Sequence, residues 1–355
     1  RKKRFKLVTQ LALFYLRRKG YYFNKAVRPL MYKLGFNAQR IGYFLNRPFR
    51  ALTRKIVPKL SSILSSPLPG NAGERPLRER LGLKGANNIY SFENPDIPVR
   101  QSVIYFPGCG SERMFPEISI AVIALLYRAG VRVVIPPEYL CCGYPFLANG
   151  QEDRANIKSY ENRILLHRIA DIIGYMDISD IIVSCGTCFD MLEKYEVENI
   201  FSGAHLTDIA EFIYREGLYR AEPGLHLPLL YHEPCHTPMK AAGSDKVITR
   251  LFGTAPRSVP YCCGEAGTMS MSRPDISETI RGRKTLLVKS SETGNDGLIL
   301  TACPSCVQGL SRSRRETGLT AQHVAVYAAE QFLGERWKRD FLREIKKRGC
   351  ETILF

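Results

Sequence analysis

At 355 residues and 45% hydrophobic, the chain can bury substantial cores, and its length suits two or three domains. Its formal charge of +17 is confined to one end: residues 1–73 hold seventeen of the 51 lysines and arginines and no acid, and beyond them the signs balance. No run reaches the roughly 18–20 apolar residues of a membrane span. A signal peptide is a poor reading of Leu7–Leu16, which Thr9 and Gln10 interrupt, Arg17-Arg18-Lys19 closes, and no small-residue cleavage site follows.

In chain order, residues 1–73 interleave basic groups with aromatics such as Phe5, Tyr15, Tyr22, Tyr32 and Phe44, and Pro29, Pro48 and Pro58 break them into short helical pieces. Such a segment suits a connector wrapped on a neighbouring domain, or a basic surface for anionic lipid. No recognition motif accompanies the charge, so nucleic acid is not expected. Ser61–Gly73 reads as a linker and residues 74–98 as a connector.

From Val99 the pattern becomes strand, helix, strand. Ser102–Phe106, Val131–Ile135 and Asp180–Ser184 read as strands, and Pro116–Ala129 and Arg154–Ile173 as helices. The order recurs with strands at Leu229–His232, Val259–Tyr261 and Leu298–Thr301, and helices at Met239–Phe252 and after Pro274. The expected divisions are a first domain over 99–225, a second over 226–335, and a basic C-terminal helix or tail over 336–355. The fold class is α/β: two tandem Rossmann-like lobes with parallel sheets, related by an internal repeat and preceded by the basic helical segment.

Ten of the eleven cysteines obey the same repeat. Cys109, Cys141-Cys142 and Cys185/Cys188 are matched by Cys235, Cys262-Cys263 and Cys303/Cys306, at offsets of 126, 121 and 118 residues. Each lies where a strand ends, the edge at which open α/β sheets form their ligand crevice. Zinc takes four ligands, often as two C-x2-C pairs, which would leave thiols over in each copy. A larger iron–sulfur cluster accommodates five thiolates, and Gly143 and Gly264 fit where backbone approaches it closely. Disulfides are not expected in a chain so rich in apolar runs, and a reduced cytoplasmic setting follows. Cys350 reads as an ordinary thiol.

The doubled pattern resembles the cysteine-rich CCG-domain family, which includes a component of heterodisulfide reductase and the iron–sulfur components of glycolate, lactate and anaerobic glycerol-3-phosphate dehydrogenases. The likeness rests on Tyr105-Phe-Pro-Gly-Cys109, Cys141-Cys-Gly-Tyr-Pro145, His232-Glu-Pro-Cys-His236, Cys262-Cys-Gly-Glu-Ala-Gly267 and Cys303-Pro-Ser-Cys306. The first copy has a longer gap before its C-x2-C than the family shows, and the second a shorter gap before its cysteine pair. The resemblance implies two non-cubane [4Fe-4S] clusters between the lobes, with zinc an alternative occupant of one. It also implies a partner FAD-linked oxidase domain or subunit and a ferredoxin-like cubane domain, since this chain carries neither C-x2-C-x2-C-x3-C-P nor G-x-G-x-x-G. Arg1 in place of Met adds the expectation of a C-terminal portion of such a fused protein.

The expected function is electron relay from FAD-dependent oxidation of a lactate- or glycolate-like 2-hydroxy acid to a quinone or other carrier, peripheral at the inner membrane face. Disulfide reduction on a cluster is the alternative, and the third reading is a zinc-binding scaffold or assembly subunit. His236 is the candidate proton donor. His232 reads as structural, and Arg113 and Glu265 as polar groups at the site mouth.

Overall fold

The computed structural model describes residues 34–35, 37–65, 67, 75–85, 87–138, 140–221, 229–265, 269–290 and 297–354. Most of the basic segment's aromatics and about half of the 61–73 linker lie outside these residues. The described strands are β1 (Ile89–Phe92), β2 (Gln101–Phe106), β3 (Val131–Ile135), β4 (Ile178–Val183) and β5 (His205–Asp208), then β6 (Leu229–Tyr231), β7 (Arg257–Ser258), β8 (Leu298–Thr301), β9 (Thr320–His323) and β10 (Glu351–Ile353).

They form two sheets, ordered β10-β1-β3-β2-β4-β5 and β7-β6-β8-β9. The core of the first, β3-β2-β4-β5, is parallel and has the same strand order as the all-parallel second sheet. The repeat read from cysteine spacing is therefore a repeat of topology, and the chain is α/β.

Four strands escaped the sequence reading. β5 and β9 are four-residue edge strands of low apolar content, His-Leu-Thr-Asp and Thr-Ala-Gln-His. β1 and β10 lie in the stretches read as connector and tail, pair with each other antiparallel, and extend the first sheet through β3. The first sheet is thus mixed. A strand at Val259–Tyr261 does not form: Pro260 has no N–H to donate and Tyr261 takes φ +70°, so the ladder stops at Ser258. The helix expected from Met239 begins only at Ser244, after Gly243 at φ +84°.

The two repeats share one core. Helix Pro116–Arg128 buries every residue from Ile118 to Tyr127 because it lies between the first sheet and helix Val324–Leu333 of the second repeat. Helix Trp337–Arg348 buries Trp337, Phe341 and Ile345 on the same core. The described part of the basic segment, including Arg50–Ile56 and Pro58–Ile63, leans on helix Pro274–Ser290. Arg281 Nη2 donates to Ser65 Oγ at 2.7 Å there. No helix among the described residues is long and apolar enough to cross a membrane.

Candidate metal centre

In each repeat the strand order reverses direction beside the first strand, so a crevice opens between the ends of β2 and β4, and likewise of β6 and β8. Cys109 lies three residues beyond β2 and Cys185 two beyond β4; Cys235 lies four beyond β6 and Cys303 two beyond β8. Cys185 and Cys303 occupy the N-cap positions of helices Gly186–Lys194 and Pro304–Ser311, both with extended backbone. The N–H of Cys188 donates to Cys185 O at 3.0 Å, and that of Cys306 to Cys303 O at 3.0 Å. Each C-x2-C is therefore the first turn of a helix, whose dipole favours thiolate over thiol.

The cysteine pairs are held by left-handed glycines, Gly143 at φ +90° and Gly264 at φ +79°. Gly264 N–H donates to Cys262 Sγ at 3.3 Å, and Gly143 N–H lowers the Cys141 thiol in the same way. A side chain there would crowd the following helix, reaching Ala155 O at 3.3 Å and Ser277 O at 3.1 Å. The glycines thus serve the turn and the helix packing, and present an N–H to sulfur. Gly108 has a similar constraint, since a Cβ would lie 2.6 Å from Cys188 Sγ.

The ten thiols form one continuous series. Cys109 and Cys141 are 3.8 Å apart, and neighbour interacts with neighbour in the order Cys109, Cys141, Cys142, Cys188, Cys185, Cys303, Cys306, Cys263, Cys262, Cys235. The five of each copy come together, and the two sets touch through Cys185 and Cys303. None is in a disulfide. Cys141, Cys185 and Cys262 are held well below the usual thiol value, first because adjacent S–H groups donate to them. The other seven are pushed up, chiefly by hydrogen bonds to neighbouring sulfurs and then by burial. A buried array of this kind cannot ionise throughout without added positive charge. Iron would supply that charge, and five adjoining sulfurs per set exceed the needs of one zinc ion. The donor set fits an iron–sulfur cluster at each position.

The two sets differ in exposure. Cys141, Cys142, Cys185 and Cys188 are buried, whereas Cys235 is exposed and Cys262 half-buried. At the second set, ligand atoms of His232, Cys263 and Cys306 lie within 4.8 Å of one another. His232 is fully buried and its Nε2 has no hydrogen-bond partner among the described residues. Its Nδ1 lies 2.5 Å from the buried Lys284 Nζ, which also donates to the carbonyls of Val259, Pro260 and Tyr261. Burial pushes His232 down to about 4, so the ring is neutral; with Nδ1 accepting from Lys284, the ring proton sits on Nε2, which can donate to a nearby sulfur.

His236 lies at the seam between repeats. Its Nε2 is 3.1 Å from Tyr144 Oη, and its Nδ1 is 3.5 Å from Asp190 Oδ2. Tyr144 neighbours Cys142 of the first set and Cys235 and Cys262 of the second, and burial raises its hydroxyl. Glu265 is not at the mouth: it is buried in an ion pair with Arg312. Arg113 is buried beside Cys109, where its charge opposes the upward push that neighbouring Cys141 and burial give that thiol. Tyr144 was missed although it stands in the string Cys141-Cys-Gly-Tyr-Pro145. Lys284 lies far along a helix, and nothing in its neighbourhood in the chain marked it.

A tandem α/β protein with ten neighbouring thiols at its two strand-end crevices is the class that fold and site define. The profile of the cysteine-rich domain, CCG, matches residues 103–193 and 229–311. Over those two segments the chain belongs to the CCG family. Among its relatives, an uncharacterized iron–sulfur protein of Methanococcus maripaludis is 26% identical over 67% of this chain and 46% of its own length. The probable glycolate oxidase iron–sulfur subunit of Bacillus subtilis is 25% identical over 66% and 55%. Lactate utilization protein A 2 of Bacillus cereus is 26% identical over 64% of this chain and 98% of its own. The chain spans about half the length of the first two. A soluble variant of the monoglyceride lipase of Saccharomyces cerevisiae superposes with a TM-score of 0.24 at 12% identity over 73% of this chain and 89% of its own, too distant to bear on the fold. The first two of these relatives are iron–sulfur proteins by name, and this chain carries the cysteine-rich CCG domain in two segments, which supports cluster binding here.

Proposed function

We propose that the chain is the electron-relay part of an oxidoreductase. Cys109, Cys141, Cys142, Cys185 and Cys188 hold one non-cubane [4Fe-4S] cluster, and Cys235, Cys262, Cys263, Cys303 and Cys306 hold the other. Bound there, the clusters supply one-electron storage at potentials set by burial, charge and hydrogen bonds to sulfur. The observation that carries this reading is the packing of Cys142, Cys185 and Cys188 of one set with Cys263, Cys303 and Cys306 of the other in a single buried cluster, which supports two adjoining redox sites. Electrons come from an FAD-dependent oxidation of a lactate- or glycolate-like 2-hydroxy acid on a partner domain or subunit, pass a ferredoxin-like cubane domain, and leave to a quinone or other carrier. The named relatives support this source.

The described basic segment supports a peripheral membrane contact. Ile41, Phe44, Leu45, Phe49, Leu52 and Ile56 are exposed on a stretch that contains no acid. A second reading rests on the openness of Cys235 and Cys262: a substrate disulfide reduced there by two electrons and two protons to two thiols.

Anaerobic purification followed by iron, acid-labile sulfide and zinc analysis tests the first reading. We expect brown protein with about eight irons per chain from two four-iron sites, and a paramagnetic signal on reduction. Colourless protein with stoichiometric zinc and no iron overturns it; zinc with about half the iron assigns the His232, Cys263 and Cys306 site to zinc.

A further inference from the structure

The two repeats place different residues at one equivalent position. Gly143 packs against Ala155 O and Gly264 against Ser277 O, which aligns helix Glu152–Ile172 with helix Pro274–Ser290. Seven residues beyond each contact stand Asn162 and Lys284. Both are buried, and both donate to the backbone of the cysteine-pair turn: Asn162 Nδ2 to Cys141 O at 2.8 Å, Lys284 Nζ to Tyr261 O at 2.7 Å. The same architectural role is filled by a neutral amide in one repeat and by an ammonium in the other.

Lys284 is 3% exposed, and among the described residues its hydrogen-bond partners are three carbonyls and the neutral ring of His232. A cation buried without a carboxylate is costly unless another negative group lies close. The groups in reach that become negative when they ligate iron are the sulfurs of Cys263, Cys306, Cys262 and Cys235. At the first set, Lys158 beside Cys141 is shared with Glu161 at 3.1 Å, and Arg113 lies beside Cys109.

We infer that Lys284 is the fixed countercharge of the second site and holds its reduction potential up, a charge the first repeat lacks at the equivalent Asn162. Adding an electron makes a site more negative, and a nearby fixed cation in a low-dielectric interior favours the reduced state. Lys284 is a positioning residue in this scheme and makes no bond to iron. The inference rests on the cluster-binding reading above.

The test is a redox titration of the anaerobic full chain, followed by electron paramagnetic resonance, with signals assigned in variants lacking one set of cysteines. Lys284→Gln should favour the oxidised second site at least tenfold at fixed potential, a downward shift of about 59 mV for one electron, and leave the first unmoved. Lys284→Arg should restore it, and Asn162→Lys should raise the first site instead. Loss of second-site iron in Lys284→Gln but not in Lys284→Arg also supports the countercharge. Unchanged potentials with both sites loaded overturn the inference alone, as does loss of second-site iron in both Lys284 variants, which makes the residue a structural prop. Iron-free wild-type protein overturns the cluster-binding reading itself.

Discussion

Asp208 and His323 stand at the ends of β5 and β9 and show how one position in the repeat accepts different chemistry. Asp208 Oδ1 accepts from Ala210 N at 2.8 Å to cap helix Ile209–Glu216. His323 Nδ1 accepts from Ala325 N at 3.1 Å to cap helix Val324–Leu333, and its Nε2 reaches Ser184 O at 3.0 Å, directly before Cys185. Burial pushes His323 down to about 4, whereas an unfolded histidine titrates near 6.5. Between those values the unfolded chain binds the proton and the folded chain does not, so stability falls as pH falls through that window. The depression costs about 2 kcal/mol between pH 6.5 and pH 5. Asp208, raised by burial to about 8, titrates with the opposite sign. The informative quantity is therefore a difference between variants that share Asp208. His323→Asn keeps a capping side chain, and its urea-unfolding free energy should gain on the wild type by about 2 kcal/mol from pH 7 to pH 5; parallel curves would refute this.

Helices and strands differ in how far they could be read ahead. Pro116–Arg128 and Val131–Ile135 were legible because a proline start, a long apolar run and Gly130 at φ +74° mark both ends. β1 and β10 were not, since strands of four and three residues carry too little pattern, and their pairing joins residues more than 250 apart in sequence. The stretch expected as a basic C-terminal helix or tail forms helix Trp337–Arg348, and every fourth residue from Trp337 is buried. Phe341 is 1% exposed and packs edge-on against Tyr127. Phe341→Ala should cost about 3–5 kcal/mol in denaturant unfolding while iron loading at low temperature persists. A cost below about 1 kcal/mol, typical of a surface change, would show that the tail is not part of the core.

At the scale of the whole molecule, the repeats are joined by backbone as much as by side chains. A Cβ on Gly186 would run into the carbonyl of His236, and one on Gly110 would lie 3.2 Å from Pro304. Lys240 reaches across to Glu193 at 2.7 Å. These close approaches bring Cys185 to Cys303 and make two sites one series. Gly186→Ala should force the repeats apart. Its signature would be loss of magnetic coupling between the two reduced sites, with the iron content of each largely retained; coupling unchanged from wild type would mean that the seam yields without separating the thiols.

The sequence by itself determined the duplication, the α/β alternation, the concentration of positive charge in residues 1–73 and the ten cysteines at strand ends. All of these are local patterns or repeated spacings. It could not determine that the two sets meet at Cys185 and Cys303, that Tyr144 and His236 share the seam, or that Lys284 points a charge at the second set. Each depends on a packing of elements more than 20 residues apart, and in most cases on the docking of one repeat against the other. Spacing along a chain carries the period of a strand or a helix. It does not carry the orientation of one folded layer on the next, which the shape of the shared core decides.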